Sequence, residues 1–215
     1  EKSPIVSITQ LADDVAKLLD ALDIKEPAAI AGISMGGYVA QHVAVRYPEK
    51  VSHVILIDTK FSADTPEART TRANLAATVG RVGQQVLADA MVPNLLAATD
   101  AARSQPERAA NEEFLRKLIG EQSVATIQAA LQALAERPDM TKDMQRLMKP
   151  VLLICGSEDT ITPPAVMKSM EKILLQGHLL VVSDAGHLVP LEAPEVFHET
   201  VRSFLARPME PVESP

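Results

Sequence analysis

Residues 28–37 read Ala-Ala-Ile-Ala-Gly-Ile-Ser-Met-Gly-Gly, and no other segment constrains the chain as strongly. The apolar opening predicts a short strand over about 28–33, and Met35 to Tyr47 carries a helical pattern that stops before Pro48. A Gly-x-Ser-x-Gly between a strand and a helix predicts a very tight turn, with Ser34 at strained backbone angles. Side chains at Gly32 and Gly36 are expected to collide with that turn. The Ser34 hydroxyl would then stand clear of the sheet, at the positive end of the following helix. Ser34 is therefore a candidate nucleophile; the competing reading is a small-residue turn that happens to hold a serine.

Two further strand ends carry chemistry. Pro150 to Cys155 is a continuous apolar run, the pattern of a strand buried on both faces, and it ends in Gly156-Ser157-Glu158-Asp159-Thr160. His178 to Ser183 is a second run, ending in Asp184-Ala185-Gly186-His187. A serine, an acid and a histidine thus each follow the C-terminal end of a predicted strand, the edge of a parallel sheet where sites form. A serine hydroxyl is a weak nucleophile until a base takes its proton. His187 is the candidate base, because His42, His53, His178 and His198 lie inside or at the start of elements rather than after a strand end. Asp159 is the candidate acid, with Glu158 and Asp58 as rivals; Asp58 also ends a strand, Val51 to Asp58. Asp184 reads as a loop hydrogen-bond acceptor.

With GISMGG, GSEDTITPP and AGHLVPLEAPE on the page, the chain resembles the α/β-hydrolase superfamily, and within it small esterases and enol-lactonase-like serine hydrolases. The likeness runs from about Ser7 to about Ala206. It implies a mostly parallel sheet flanked by helices, with a helical lid insertion. The order Ser34, Asp159, His187 is the order of that family, and its pattern favours the second carboxylate of the Glu158–Asp159 pair. Some relatives place the acid at the position of Asp58, which here is expected to anchor the start of the lid. The resemblance makes the Met35 N–H one oxyanion donor. It implies cleavage of small esters or lactones without a cofactor or metal. Cofactor-free perhydrolases and carbon–carbon bond hydrolases share the three residues, and a catalytically silent binding scaffold is the alternative of another class.

In that family several strands precede the helix that leads into the serine strand, and one of their loops carries a His-Gly segment. Here residues 1–6 run straight into that helix and no His-Gly precedes Ser34. The resemblance therefore implies the C-terminal two-thirds of a hydrolase, without its N-terminal strands. It further implies an exposed edge at Ala28 to Ile33 that would pair as a homodimer or with a separate N-terminal segment.

Composition narrows the partners. The net charge is −7 without a basic run, which argues against nucleic acid or an anionic membrane. Four Phe, two Tyr and no Trp leave an aliphatic core, with eight Met as adaptable fillers. The single cysteine, Cys155, cannot form an internal disulfide; it makes the cytoplasm the default location and reads as a buried structural thiol.

Four parts are expected: a partial core over 1–59 with the serine turn, a helical lid over 60–149, the acid and base loops over 150–206, and a mobile tail over 207–215. Ser7 and Gln10 form a capping-box pattern ahead of an amphipathic helix to Leu22, with Ile8, Leu11, Val15, Leu18, Leu19 and Leu22 at helical spacing. Helical stretches near 66–79, 83–97, 106–119 and 123–136 fill the insertion, where a plain crossover needs only one helix. Met91, Leu95, Leu96, Ile127 and Leu131 are candidates for an aliphatic substrate pocket. Leu191 to Leu205 reads as one closing helix.

Overall fold

The computed structural model describes residues 7–207. The expectations for residues 1–6, and for the tail beyond Arg207, fall outside them. Four strands, β1 (Ala28–Ile33), β2 (Val51–Ile57), β3 (Val151–Gly156) and β4 (Gly177–Val182), form one sheet. All neighbours are parallel, in the order β1-β2-β3-β4. Every residue of β3 is buried, as its unbroken apolar run requires of a strand covered on both faces. Leu153 and Ile154 have no exposed surface, a contribution of about 1.5–3 kcal/mol each relative to exposure. Among the described residues β1 pairs only with β2, and its side chains alternate between half-buried and exposed up to Ala31.

The two faces of the sheet carry different cores. Val54, Leu56, Leu153 and Cys155 face Ala40, Val43 and Ala44 of α2 (Met35–Arg46). Helices α8 (Thr141–Gln145) and α9 (Pro164–Glu171) complete that layer with Met144, Met167 and Met170, so methionine does fill an aliphatic core. On the opposite face Ile55, Ile57, Leu152, Ile154 and Val182 meet Phe204 of α11 (Pro194–Leu205).

Helix α1 (Ile8–Ala21) starts where the capping pattern placed it: the Ser7 hydroxyl accepts the Gln10 N–H at 3.0 Å. Its buried residues are Ile8, Ala12 and Ala16, whereas Leu18 and Leu22 stand 55% and 61% exposed. Of the expected apolar stripe, Ile8 is buried and Val15 packs on the core, while Leu18 and Leu22 near the C-terminal end stand outward. Ala12 joins the cluster that holds Ala40 and Ala44, with Val15 packed against it, so small side chains lie where α1 meets α2. The C-terminal helix also differs from expectation. It is split into α10 (Val189–Glu192) and α11, because Pro194 drives Ala193 out of helical angles to φ −139°, ψ 59°.

Between β2 and β3 lies a helical insertion: α3 (Pro66–Val82), α4 (Gln85–Leu95), α5 (Asp100–Arg103), α6 (Arg108–Gly120), α7 (Val124–Glu136) and then α8. Its two roots are clamped together. Arg137, leaving α7, places Nη2 2.8 Å from Asp64 Oδ1 and donates from the same nitrogen to the Ser62 carbonyl at 3.1 Å. Its guanidinium carbon lies 4.2 Å from the centre of the Tyr38 ring on α2. Arg72 pairs with the other Asp64 oxygen. Burial would push the Asp64 carboxyl up, but Arg72 and Arg137 outweigh it and hold it at about 2.

Candidate active site

The serine turn is as tight as its sequence implies. Ser34 sits at φ 49°, ψ −112°, and its N–H donates to the Ile57 carbonyl on β2 at 2.9 Å. A Cβ on Gly32 would stand 2.1 Å from the Gly36 carbonyl oxygen, so that glycine is obligatory. Gly36 is not, contrary to expectation: a Cβ there meets nothing within 4 Å. The second constrained position is Gly37, where a Cβ would lie 2.7 Å from the Thr59 side chain. Thr59 also pins the turn by donating its hydroxyl to the Ser34 carbonyl at 2.9 Å. Met35 opens α2, so its N–H is one of the first-turn donors without an intrahelical acceptor.

The acid and base candidates meet at the ends of β3 and β4. Asp159 Oδ2 lies 2.9 Å from His187 Nδ1, with both residues buried. Asp159 Oδ1 accepts the N–H groups of Ile161 and Thr162 at 2.8 and 3.0 Å, and the Thr162 hydroxyl donates to Oδ2. Burial alone would raise the Asp159 carboxyl; the His187 and Thr162 hydrogen bonds outweigh it and hold it at about 2. The carboxylate is therefore an anion facing an imidazole N–H, which fixes the tautomer that leaves Nε2 free as a base.

The rivals fall into other roles. Glu158 is exposed and accepts from its neighbour Ser157. Asp58 is fully buried at φ 45° and accepts the Gly156 N–H at 3.1 Å and the Val189 N–H at 3.4 Å. It braces the acid and base loops, not the start of the insertion as expected. Burial, then the charge of Asp159, push its carboxyl up to about 8, the opposite direction from the lowered carboxyl that best suits a partner for an imidazolium. Asp58, Asp159 and His187 each offer one ligand atom, all within 4.8 Å of one another. A cation there would have to break the Asp159–His187 contact, so the group fits an acid–base pair better than a metal centre. His42 and His53 are buried, the latter edge-on to Phe204, while His178 and His198 are exposed. Asp184 accepts the Thr99 hydroxyl at 3.1 Å, the loop role expected of it. Burial pushes the Cys155 thiol up to about 12, which leaves it inert.

A family model described as the alpha/beta hydrolase fold matches residues 6–194. The chain belongs to the α/β-hydrolase family. It is 30% identical over 202 residues to 3-oxoadipate enol-lactonase 2 of Acinetobacter baylyi, a match covering 93% of this chain and 71% of that protein. A thermophilic esterase from Thermogutta terrifontis superposes with a TM-score of 0.88 at 34% identity, covering 95% of this chain and 74% of that one. The enol-lactonase from Burkholderia xenovorans gives 0.84 at 25% identity, covering 96% and 75%. These relatives make the protein an esterase- and enol-lactonase-like hydrolase. Among its described residues no helix is long and apolar enough to cross a membrane.

Sequence reading missed three supports of this hydrolase site: Thr59, Thr162 and Glu192. Thr162 had a signal, since an Asp whose side chain caps the N–H groups two and three residues on is a known turn habit. Thr59 had none, because its partner Ser34 is distant in sequence, as is Ala97, one of the two partners of Glu192. The pocket candidates lie in two packed clusters. Leu95 and Leu96 pack with Val92 and Leu115, and Ile127 and Leu131 with Val79 and Leu87, while Met91 spans both clusters. The cluster of Leu95 and Leu96 also takes in Leu188 and Leu191, which follow His187.

Proposed function

We propose that this α/β hydrolase cleaves small carboxylic esters or lactones through an acyl-enzyme on Ser34. Ser34 Oγ adds to the substrate carbonyl carbon while His187 Nε2 takes its proton. Asp159 holds the imidazole tautomer and stabilises the imidazolium, and the Met35 N–H donates to the oxyanion. The imidazolium then returns its proton to the departing alkoxide. An ester releases an alcohol; a lactone ring opens and keeps its hydroxyl on the acyl chain. Water, giving its proton to His187, adds to the acyl carbon, and Ser34 Oγ leaves as it regains a proton.

The observation that carries this reading is the 2.9 Å contact between Asp159 Oδ2 and His187 Nδ1, in a sheet whose first strand ends in the strained Ser34. The names of the relatives add the substrate class. A fluorophosphonate probe should place one adduct on Ser34, with p-nitrophenyl acetate turned over and short acyl chains preferred. Equal labelling of Ser34→Ala, or no labelling of folded wild-type protein, would leave a non-catalytic scaffold as the better reading. We propose also that the helical insertion acts as the lid over Ser34. The edge of β1, unpaired among the described residues, is read as the place where a second copy or another segment adds a strand. Sedimentation at micromolar concentration should then show association that Ala29→Lys with Ala31→Lys abolishes; a persistent 23.1 kDa monomer would refute the pairing.

A further inference from the structure

Glu192 ends the single turn of α10, five residues after His187. Its two carboxylate oxygens go to two different segments. Oε1 accepts the N–H of Gly186 at 2.7 Å, and Oε2 accepts the N–H of Ala97, in the insertion, also at 2.7 Å. The next N–H along, that of His187, donates to the Leu95 carbonyl at 2.9 Å. A Cβ on Gly186 would stand 2.6 Å from the Ala97 nitrogen, so the two backbones touch. Arg108 donates to the Ala97 carbonyl from the other side. Burial pushes the Glu192 carboxyl up, opposed by the Ala97 and Gly186 N–H groups and by the Arg108 charge.

We propose that Glu192 is a positioning residue for His187. By accepting the peptides of Gly186 and Ala97 together, it fixes the base loop against the insertion and so sets the imidazole that faces Asp159. The proposal rests on the hydrolase reading above. A carboxylate suits the task because it offers two charged acceptors and no donor; charge-assisted hydrogen bonds of this kind are about twice as strong as neutral ones. Glutamine keeps the volume but turns an –NH₂ toward one of the two N–H donors, so one segment loses its partner. A base misplaced by about 1 Å can lower the rate about 100-fold.

The test is Glu192→Gln in the full chain, with turnover expressed per Ser34 titrated by fluorophosphonate. Turnover should fall about 10- to 100-fold with KM changed less than about threefold. The far-downfield proton resonance of the His187–Asp159 hydrogen bond should shift or broaden, and the Gly186 and Ala97 amides should exchange faster. Thr99→Ala, which cuts the neighbouring Thr99–Asp184 bond, should stay within about twofold of wild type. If Glu192→Gln does not fold, Glu192→Asp should, with an intermediate loss, since its shorter arm reaches one segment. Unchanged turnover and an unchanged proton resonance would overturn the proposal, as would an equal loss in Thr99→Ala. If wild type itself fails to label, the hydrolase reading falls, while the resonance and the amide exchange still decide the role of Glu192.

Discussion

Thr162 and His187 converge on one oxygen: the Thr162 hydroxyl donates to Asp159 Oδ2, which His187 Nδ1 also faces, and the two side chains lie 3.4 Å apart. The hydroxyl thus helps keep Asp159 ionised. Thr162→Val keeps the shape and removes one hydrogen bond to a charged group, a loss of about 1.5–3 kcal/mol that urea denaturation would read. Ester turnover should fall about tenfold. Unchanged stability would show that the hydroxyl is idle.

The acid assignment makes a sharper contrast. Asp159→Asn favours the wrong imidazole tautomer and should lower p-nitrophenyl acetate turnover by about 10³–10⁴. Asp58→Asn leaves one of the Gly156 and Val189 N–H groups without its acceptor but leaves the Asp159–His187 contact in place, so its loss should be well short of that of Asp159→Asn. If Asp58→Asn is the worse variant, the acid is Asp58.

The same two carboxyls give stability opposite slopes with pH. Asp159, lowered from 3.8 to about 2, adds stability that is present above about pH 4 and lost as pH falls through 2. Asp58, raised from 3.8 to about 8, is stabilising when protonated; that contribution is full below about pH 4 and lost as pH rises through 8. Urea midpoints of wild type should therefore decline between pH 5 and 9 more steeply than those of Asp58→Asn, as parallel titrations would reveal. Equal slopes would mean that Asp58 is ionised throughout.

Strand ends were legible because each chemistry-bearing residue follows an apolar run with a turn signal behind it. Ser34, His187 and the Glu158–Asp159 pair could therefore be placed from local pattern, as could all four strands, whereas the choice of Asp159 within the pair came from the family resemblance. Periodicity found α1 and its buried Ile8, but it counts leucines and does not show that Ala12 and Ala16 are buried while Leu18 and Leu22 are exposed. For Leu95, Leu96, Ile127 and Leu131 it gives burial alone, since burial in a helical core and burial around a substrate leave the same signature. Asp64 with Arg137, and Glu192 with Ala97, are pairings across long stretches of chain, which no local pattern reports.

Glycine geometry separates two residues that the motif treats alike. Gly32→Ala forces a methyl group onto the Gly36 carbonyl and should destabilise by about 1–3 kcal/mol or more, with loss of Ser34 labelling. Gly36→Ala enters open space in the first turn of a helix and should be neutral or stabilising by up to about 1 kcal/mol. Calorimetry of the pair decides; equal losses would contradict the geometry.

The clamp at the roots of the insertion should be worth far more than any surface pair. Asp64→Ala strands the buried Arg137 guanidinium, a loss of about 3–5 kcal/mol. Asp14→Ala breaks a pair with Lys17 whose side chains are 54% and 74% exposed, and should change stability by less than about 1 kcal/mol. Denaturation midpoints of both variants supply the comparison.

Contact between Gly186 and Ala97 also bears on how such a protein can be recombined. Ala97 and Glu192 are 95 positions apart, yet one carboxylate serves both their segments. A chimera that takes the helices after β2 from one parent and the loop after β4 from another would bring together surfaces shaped for different partners. Breakpoints that transfer the two stretches as a set keep that fit, so substrate preference and the seating of the base are expected to be inherited together.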